Sequence, residues 1–135
     1  MEYLIINPLL IDYLQNTISL TRTVKKTLLC EFAYVIKKGN DLIKHQGFII
    51  KNTMSRYQQT DVQSTTGIST NLLRSSGKNL NECLTIFLDL LNMNFDKIFI
   101  MDLKKIITFL IQNKSTHNLC NLIWKDWVNC VNRKN

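Results

Sequence analysis

The sequence predicts an all-α helical bundle, and three observations carry that prediction. Four Gly and one Pro in 135 residues are too few breakers for a many-turned β-sandwich, and suit long helices. From Val24 onward the apolar residues step by three and four, the spacing of one helical face. The stretch Ile98 to Ile111 is apolar almost all round, as expected of a helix in the middle of a core. An apolar content of 45% is that of a folded chain. This length supports one core, so residues 1–135 are assigned to a single domain.

The elements follow in order. Asn7 is placed to cap a first helix with Pro8 at its first position. Leu9, Leu10, Tyr13, Leu14 and Ile18 carry that helix to about Leu20. Thr21 or Thr23 caps a longer second helix with an apolar face of Val24, Leu28, Phe32, Val35, Gly39 and Leu42. Leu29, Ile36 and Ile43 widen the stripe, while Lys25, Lys26, Lys37 and Lys44 lie largely outside it. Gly39 has two readings: close approach of another backbone, or a helix end at Gly39-Asn40 with Asp41 starting a new segment. Gln46-Gly47 marks a break, and Phe48 to Tyr57 forms a short helix. A polar connection spans about 58–79, with Leu72 and Leu73 pinning its middle. Leu80, Cys83, Leu84, Phe87, Leu88 and Leu91 then make one helical face. Asp96 is placed to cap the central helix, which runs to about Asn113. Ser115-Thr116-His117 starts a final helix with Leu119, Ile123, Trp124, Trp127 and Val131.

The net charge is +7, concentrated between Arg22 and Arg56, where eight Lys or Arg stand against Glu31 and Asp41. Those charges surround an apolar stripe without exposed aromatics between them, so they read as a solvated helix face and no nucleic-acid partner is expected. Cys30, Cys83, Cys120 and Cys130 show no metal spacing and read as buried reduced thiols. No metal or cofactor is expected. His45 and His117 sit in no motif, the carboxylates form no paired constellation, and phosphate loops and nucleophile motifs are absent, so no enzyme is expected. The start lacks a basic leader, and Asp102, Lys104 and Lys105 interrupt the best apolar run, so no membrane span is expected.

Asn94-Phe95-Asp96-Lys97, at the head of the apolar stretch, resembles the Asn-Trp-Gly-Arg of the first homology motif of the B-cell lymphoma 2 (Bcl-2) family of apoptosis regulators. Asn94 matches, Phe95 stands for Trp, Lys97 keeps the charge of Arg, and Asp96 departs from Gly. Val35, Gly39, Asp41 and Leu42 resemble that family's third homology motif, with Asn40 in place of Asp. The resemblance is to divergent, virus-encoded members. It implies a compact bundle whose hydrophobic groove sequesters the amphipathic death-motif (BH3) helix of pro-apoptotic host proteins and so inhibits apoptosis. It places Lys97 opposite the ligand's Asp. Asn94, Phe95, Val35, Phe48, Leu84, Phe87, Leu88 and Phe99 line the groove in this reading. It also implies a location in the host cytoplasm and, through partners, at mitochondria.

Two alternatives stand beside it: a Bcl-2-like fold that blocks innate immune signalling without a working groove, and a basic all-α nucleic-acid-binding module. The wide stripe of the second helix and the Trp-bearing final helix lead to the expectation of a two-fold homodimer, against a monomer that buries both stripes in its own core.

Overall fold

Among the described residues, the chain as far as Lys51 is built of strands. The computed structural model describes residues 1–16, 23–51, 64, 66–68 and 77–133, with the backbone path alone at 14–16, 23, 24 and 128–133. Three long strands, β1 (Glu2–Asn16), β2 (Thr23–Lys38) and β3 (Asp41–Lys51), form an antiparallel meander. Two short strands follow, β4 (Lys78–Asn79) and β5 (Lys97–Ile100), giving the order β4-β3-β2-β1-β5. β4 runs parallel to β3, and β5 parallel to β1. Three helices have described bounds: α1 (Leu80–Asn92), α2 (Leu103–Asn113) and α3 (Asn118–Arg133).

This overturns the all-α expectation, and the reason is local. The segments read as the first and second helices are rich in β-branched and aromatic residues, which favour a pleated surface. In β2 burial alternates strictly: Phe32, Tyr34 and Ile36 are buried while Ala33, Val35 and Lys37 are half-buried. That is the period of a strand. Gly39-Asn40 is the two-residue turn between β2 and β3, with Gly39 at φ +60, the first-position glycine of a type II′ hairpin. Gly39 is neither a close-approach glycine within a helix nor a helix end, but Asp41 does start a new segment, β3.

Pro8 starts no helix. Ile6 accepts a hydrogen bond from the Met101 amide on the β5 side of β1, and by alternation the missing N–H of Pro8 faces that same side. β5 pairs only as far as Ile6, so among the described residues no strand needs a hydrogen bond from Pro8 on that side of β1. The buried helix expected over Ile98 to Ile111 is also corrected. Lys97–Ile100 is edge strand β5, and helix begins only at Leu103. Asp96 caps nothing: its carboxylate accepts the Glu2 amide at 2.7 Å and holds β5 against β1. Asp102, in the left-handed region at φ 53, makes the turn into α2. The helices expected after Asn79 and after His117 are present as α1 and α3. Of the short helix expected over Phe48 to Tyr57, the first four residues belong to β3 and the rest lie outside the described residues. Most of the polar connection at about 58–79 lies outside them too.

α1, α2 and α3 contribute to one apolar cluster on one face of the sheet. Leu4, Ile6, Leu29, Phe32 and Ile50 meet Leu84, Phe87, Ile106, Leu110 and Ile123 there. At its centre Phe32 and Phe87 stand 5.4 Å apart, with Trp127 of α3 6.4 Å from Phe87. α1 crosses from the β4 edge to the β5 edge. Its 13 residues span roughly 20 Å at 1.5 Å each, close to the roughly 19 Å across five strands. Cys83 and Cys120 are buried in this cluster. Burial pushes their thiols up to about 12 and about 11. A smaller cluster, built on Ile11 and Cys30, includes Leu9, Leu28, Ile49 and Ile68. Among the described residues no helix is long and apolar enough to cross a membrane.

Candidate anion-binding cleft

The structure does not assemble the expected groove. Leu84 and Phe87 are fully buried in the core, Leu88 is half-buried beside them, and Phe48 packs on Phe32 at 5.8 Å. Val35 is half-buried on β2, pointing away from Phe32 and Tyr34 by the strand alternation. Phe99 is half exposed, with its ring 6.3 Å from Tyr3. Phe95 is half-buried, and Asn94 and Lys97 are exposed, around the turn into β5. A BH3-binding groove needs neighbouring helices where this chain has a sheet, so the Bcl-2 resemblance and the pro-apoptotic partners it implied are withdrawn. The innate-immune and all-α nucleic-acid alternatives fall with the helical fold. The homodimer expectation loses its basis, because the stripe of the second helix is divided between the two faces of a sheet and Trp124 and Trp127 of the final helix pack against the chain's own core.

The site the structure does build lies at the far end of the β1–β2 hairpin. The helix-facing side of β1 carries Leu4, Ile6, Pro8 and Leu10, all buried, and the next residue in that series is Asp12. β2 answers with Leu29, Thr27 and Lys25. Asp12 and Thr27 are directly paired. A bulge opposite Leu9 and Leu10 admits Cys30 as the extra residue of β2 and keeps the helix-facing series in step on both sides of it. The core-facing side of the hairpin thus changes from apolar to polar within one rung.

α2 covers that rung. At 3.6 residues per turn, Lys104, Thr108, Gln112 and Lys105 fall within about 100° of helix surface, while the buried Ile106, Phe109 and Leu110 occupy an adjoining arc. One arc closes the core; the other faces Asp12, Lys25 and Thr27. These seven polar residues line a cleft of about 260 Å³. That is just below the roughly 300–1,000 Å³ of pockets that enclose drug-sized ligands, so it fits one small group.

Gln112 and Lys105 fix the helix on the sheet. β3 pairs with β2 from Glu31 onward, and among the described residues no strand pairs with this edge of β2 at Lys25 and Thr27. The Gln112 side chain fills that gap as a surrogate peptide. Its Oε1 accepts the Thr27 amide at 2.9 Å, and its Nε2 donates to the Lys25 carbonyl at 3.3 Å. Lys105 Nζ donates to the Leu10 carbonyl at 3.4 Å, on the open side of β1.

Inside the cleft, the buried Thr27 hydroxyl donates to Asp12 Oδ1 at 2.8 Å, and Lys25 Nζ lies 3.3 Å from Asp12 Oδ2. The Thr27 hydrogen bond is the largest influence and holds the Asp12 carboxyl below its ordinary value; burial opposes it, and Lys25 and then Lys105 add to the lowering. Lys104 makes no ion pair among the described residues. Thr108 donates its hydroxyl proton to the Lys104 carbonyl at 2.9 Å, which leaves its oxygen free to accept. Three lysines therefore line the cleft with one carboxylate, and of these Lys25 pairs with it directly. A divalent metal is poorly served by such a set, because one carboxylate cannot offset three cations. Among the described residues no group of three His, Cys, Asp or Glu converges elsewhere.

Sequence reasoning missed this site. It treated Lys104 and Lys105 only as interruptions of an apolar run, and Lys25 as solvated. The available signal was the period of two: in the series Leu4, Ile6, Pro8, Leu10, Asp12, a carboxylate occupies an inward position.

No protein-family model, no curated protein and no solved structure matches this chain.

Proposed function

We propose that this protein is a binding module for a small phosphate-bearing ligand, held in the cleft between the β1–β2 hairpin and α2. The observation that carries the reading is the convergence of Lys25, Lys104 and Lys105, from two elements, on a cleft with a single carboxylate. Ammonium groups are effective point-charge ligands for phosphate. The hydroxyl of Thr108 adds a short polar group beside them. The reading is of binding and not of turnover. The seven lining residues include no His, Cys or Ser and only one carboxylate, so they offer no acid–base pair and no activated nucleophile.

Isothermal titration with inorganic phosphate tests the proposal. Saturable binding at one site per chain is expected for the native protein, with loss of that binding in the Lys104→Ala/Lys105→Ala double variant. Lys37 and Lys38 lie at the opposite end of β2, and their double alanine variant should bind as the native protein does. Equal loss in both variants, or none in either, would refute the placement of the site.

A further inference from the structure

The carboxylate is the odd member of this cleft. A site for any oxyanion would do better without Asp12, which repels negative charge and occupies Lys25. Yet Asp12 is fixed there by two partners: Thr27 on one oxygen and Lys25 on the other, at 2.8 and 3.3 Å. Each carboxylate oxygen has a second lone-pair site, so Asp12 retains capacity to accept a further hydrogen bond. Thr27 contributes its hydroxyl proton to Asp12 and Gln112 spends its amide on the β2 edge, so neither competes for that capacity.

We infer that Asp12 makes the cleft selective for oxyanions that carry a proton. The inference rests on the phosphate-binding reading above. An ionised carboxylate can only accept, so it binds an anion that donates an O–H and repels one that has none. The resulting O–H···O⁻ bond is charge-assisted and strong. The ligand class is then hydrogen phosphate, free or as the half-protonated monoester. Sulfate and phosphodiesters, which carry no proton near neutrality, are excluded. Lys25, Lys104 and Lys105 supply attraction common to all these anions; Asp12 supplies the discrimination.

The test is calorimetric titration at about pH 6, where roughly half of a phosphomonoester carries a proton. The probes are inorganic phosphate, methyl phosphate, dimethyl phosphate and sulfate. The native protein should prefer phosphate to sulfate by about tenfold or more, the scale of one hydrogen bond to a charged group. Asp12→Asn keeps an acceptor for Thr27 and removes the charge, and should bring the phosphate-to-sulfate ratio to within about twofold by admitting sulfate. Binding of methyl phosphate with rejection of dimethyl phosphate assigns the ester as a ligand; binding of inorganic phosphate alone assigns the free anion. Sulfate bound as tightly as phosphate by the native protein overturns the role of Asp12 while leaving the anion site standing. Binding of none of the four overturns the site itself. The native ratio stands even if the variant is poorly folded.

Discussion

At one end of the β1–β2 hairpin the side facing the helices carries Leu4, Ile6, Phe32 and Ile36, all buried; at the other end it carries Asp12, Lys25 and Thr27. The same alternation places both sets. α2 is divided to match, with one arc of apolar residues and one of lysine, threonine and glutamine. The apolar end is what folding requires, since burial there removes large side chains from water. Nothing in the folding of a sheet asks for three lysines to line one cleft with a single carboxylate. The difference locates stability and recognition in separate parts of one continuous surface, so substitutions should separate them as well.

The largest effect should come from the apolar end. Phe87→Ala removes the ring that joins Phe32 to Trp127 and should lower stability by about 3–5 kcal/mol, measured by urea unfolding, with unchanged anion affinity in whatever remains folded. Gly77→Ala comes next. Gly77 has φ +99, and a Cβ there would overlap the Ile49 carbonyl oxygen, so a loss of roughly 1–3 kcal/mol is expected in the same measurement. Gln112→Ala acts at the boundary of the two regions. It removes two hydrogen bonds to the open edge of β2, each contributing about 0.5–1.5 kcal/mol, and should also weaken phosphate binding by releasing α2 from Lys25 and Thr27. Lys104→Ala should be the smallest in stability, within about 0.5 kcal/mol of native, while weakening phosphate binding several-fold. A large stability loss at Lys104 would erase the distinction between the two ends.

The helical half of the chain was legible and the sheet half was not, for a physical reason. In α1 and α3 the apolar residues recur at helical spacing between polar ones, a pattern no strand produces. In β1 and β2 both faces of the strand meet apolar neighbours, so residues such as Leu28, Leu29, Phe32, Val35 and Ile36 satisfy a helical period and a period of two at once. The tie could have been broken by turn chemistry. Gly39-Asn40 between two β-branched runs is a hairpin signal. The greasy run from Ile98 failed differently. Its first residues are an edge strand and its later ones a helix, and only Asp102, in the turn between them, marks the change. The cleft was hidden because its residues come from positions 12, 25–27 and 104–112, which only the strand pairing and the placement of α2 bring together.

The most direct test of the account is a two-dimensional amide NMR titration of the native protein with inorganic phosphate. The account predicts saturable shifts confined to Asp12, Lys25, Thr27, Lys104, Lys105, Thr108, Gln112 and their immediate neighbours, with Phe32, Leu84 and Phe87 unmoved. Shifts that fail to saturate and scatter over the exposed Lys38, Lys44 and Lys97 would contradict it.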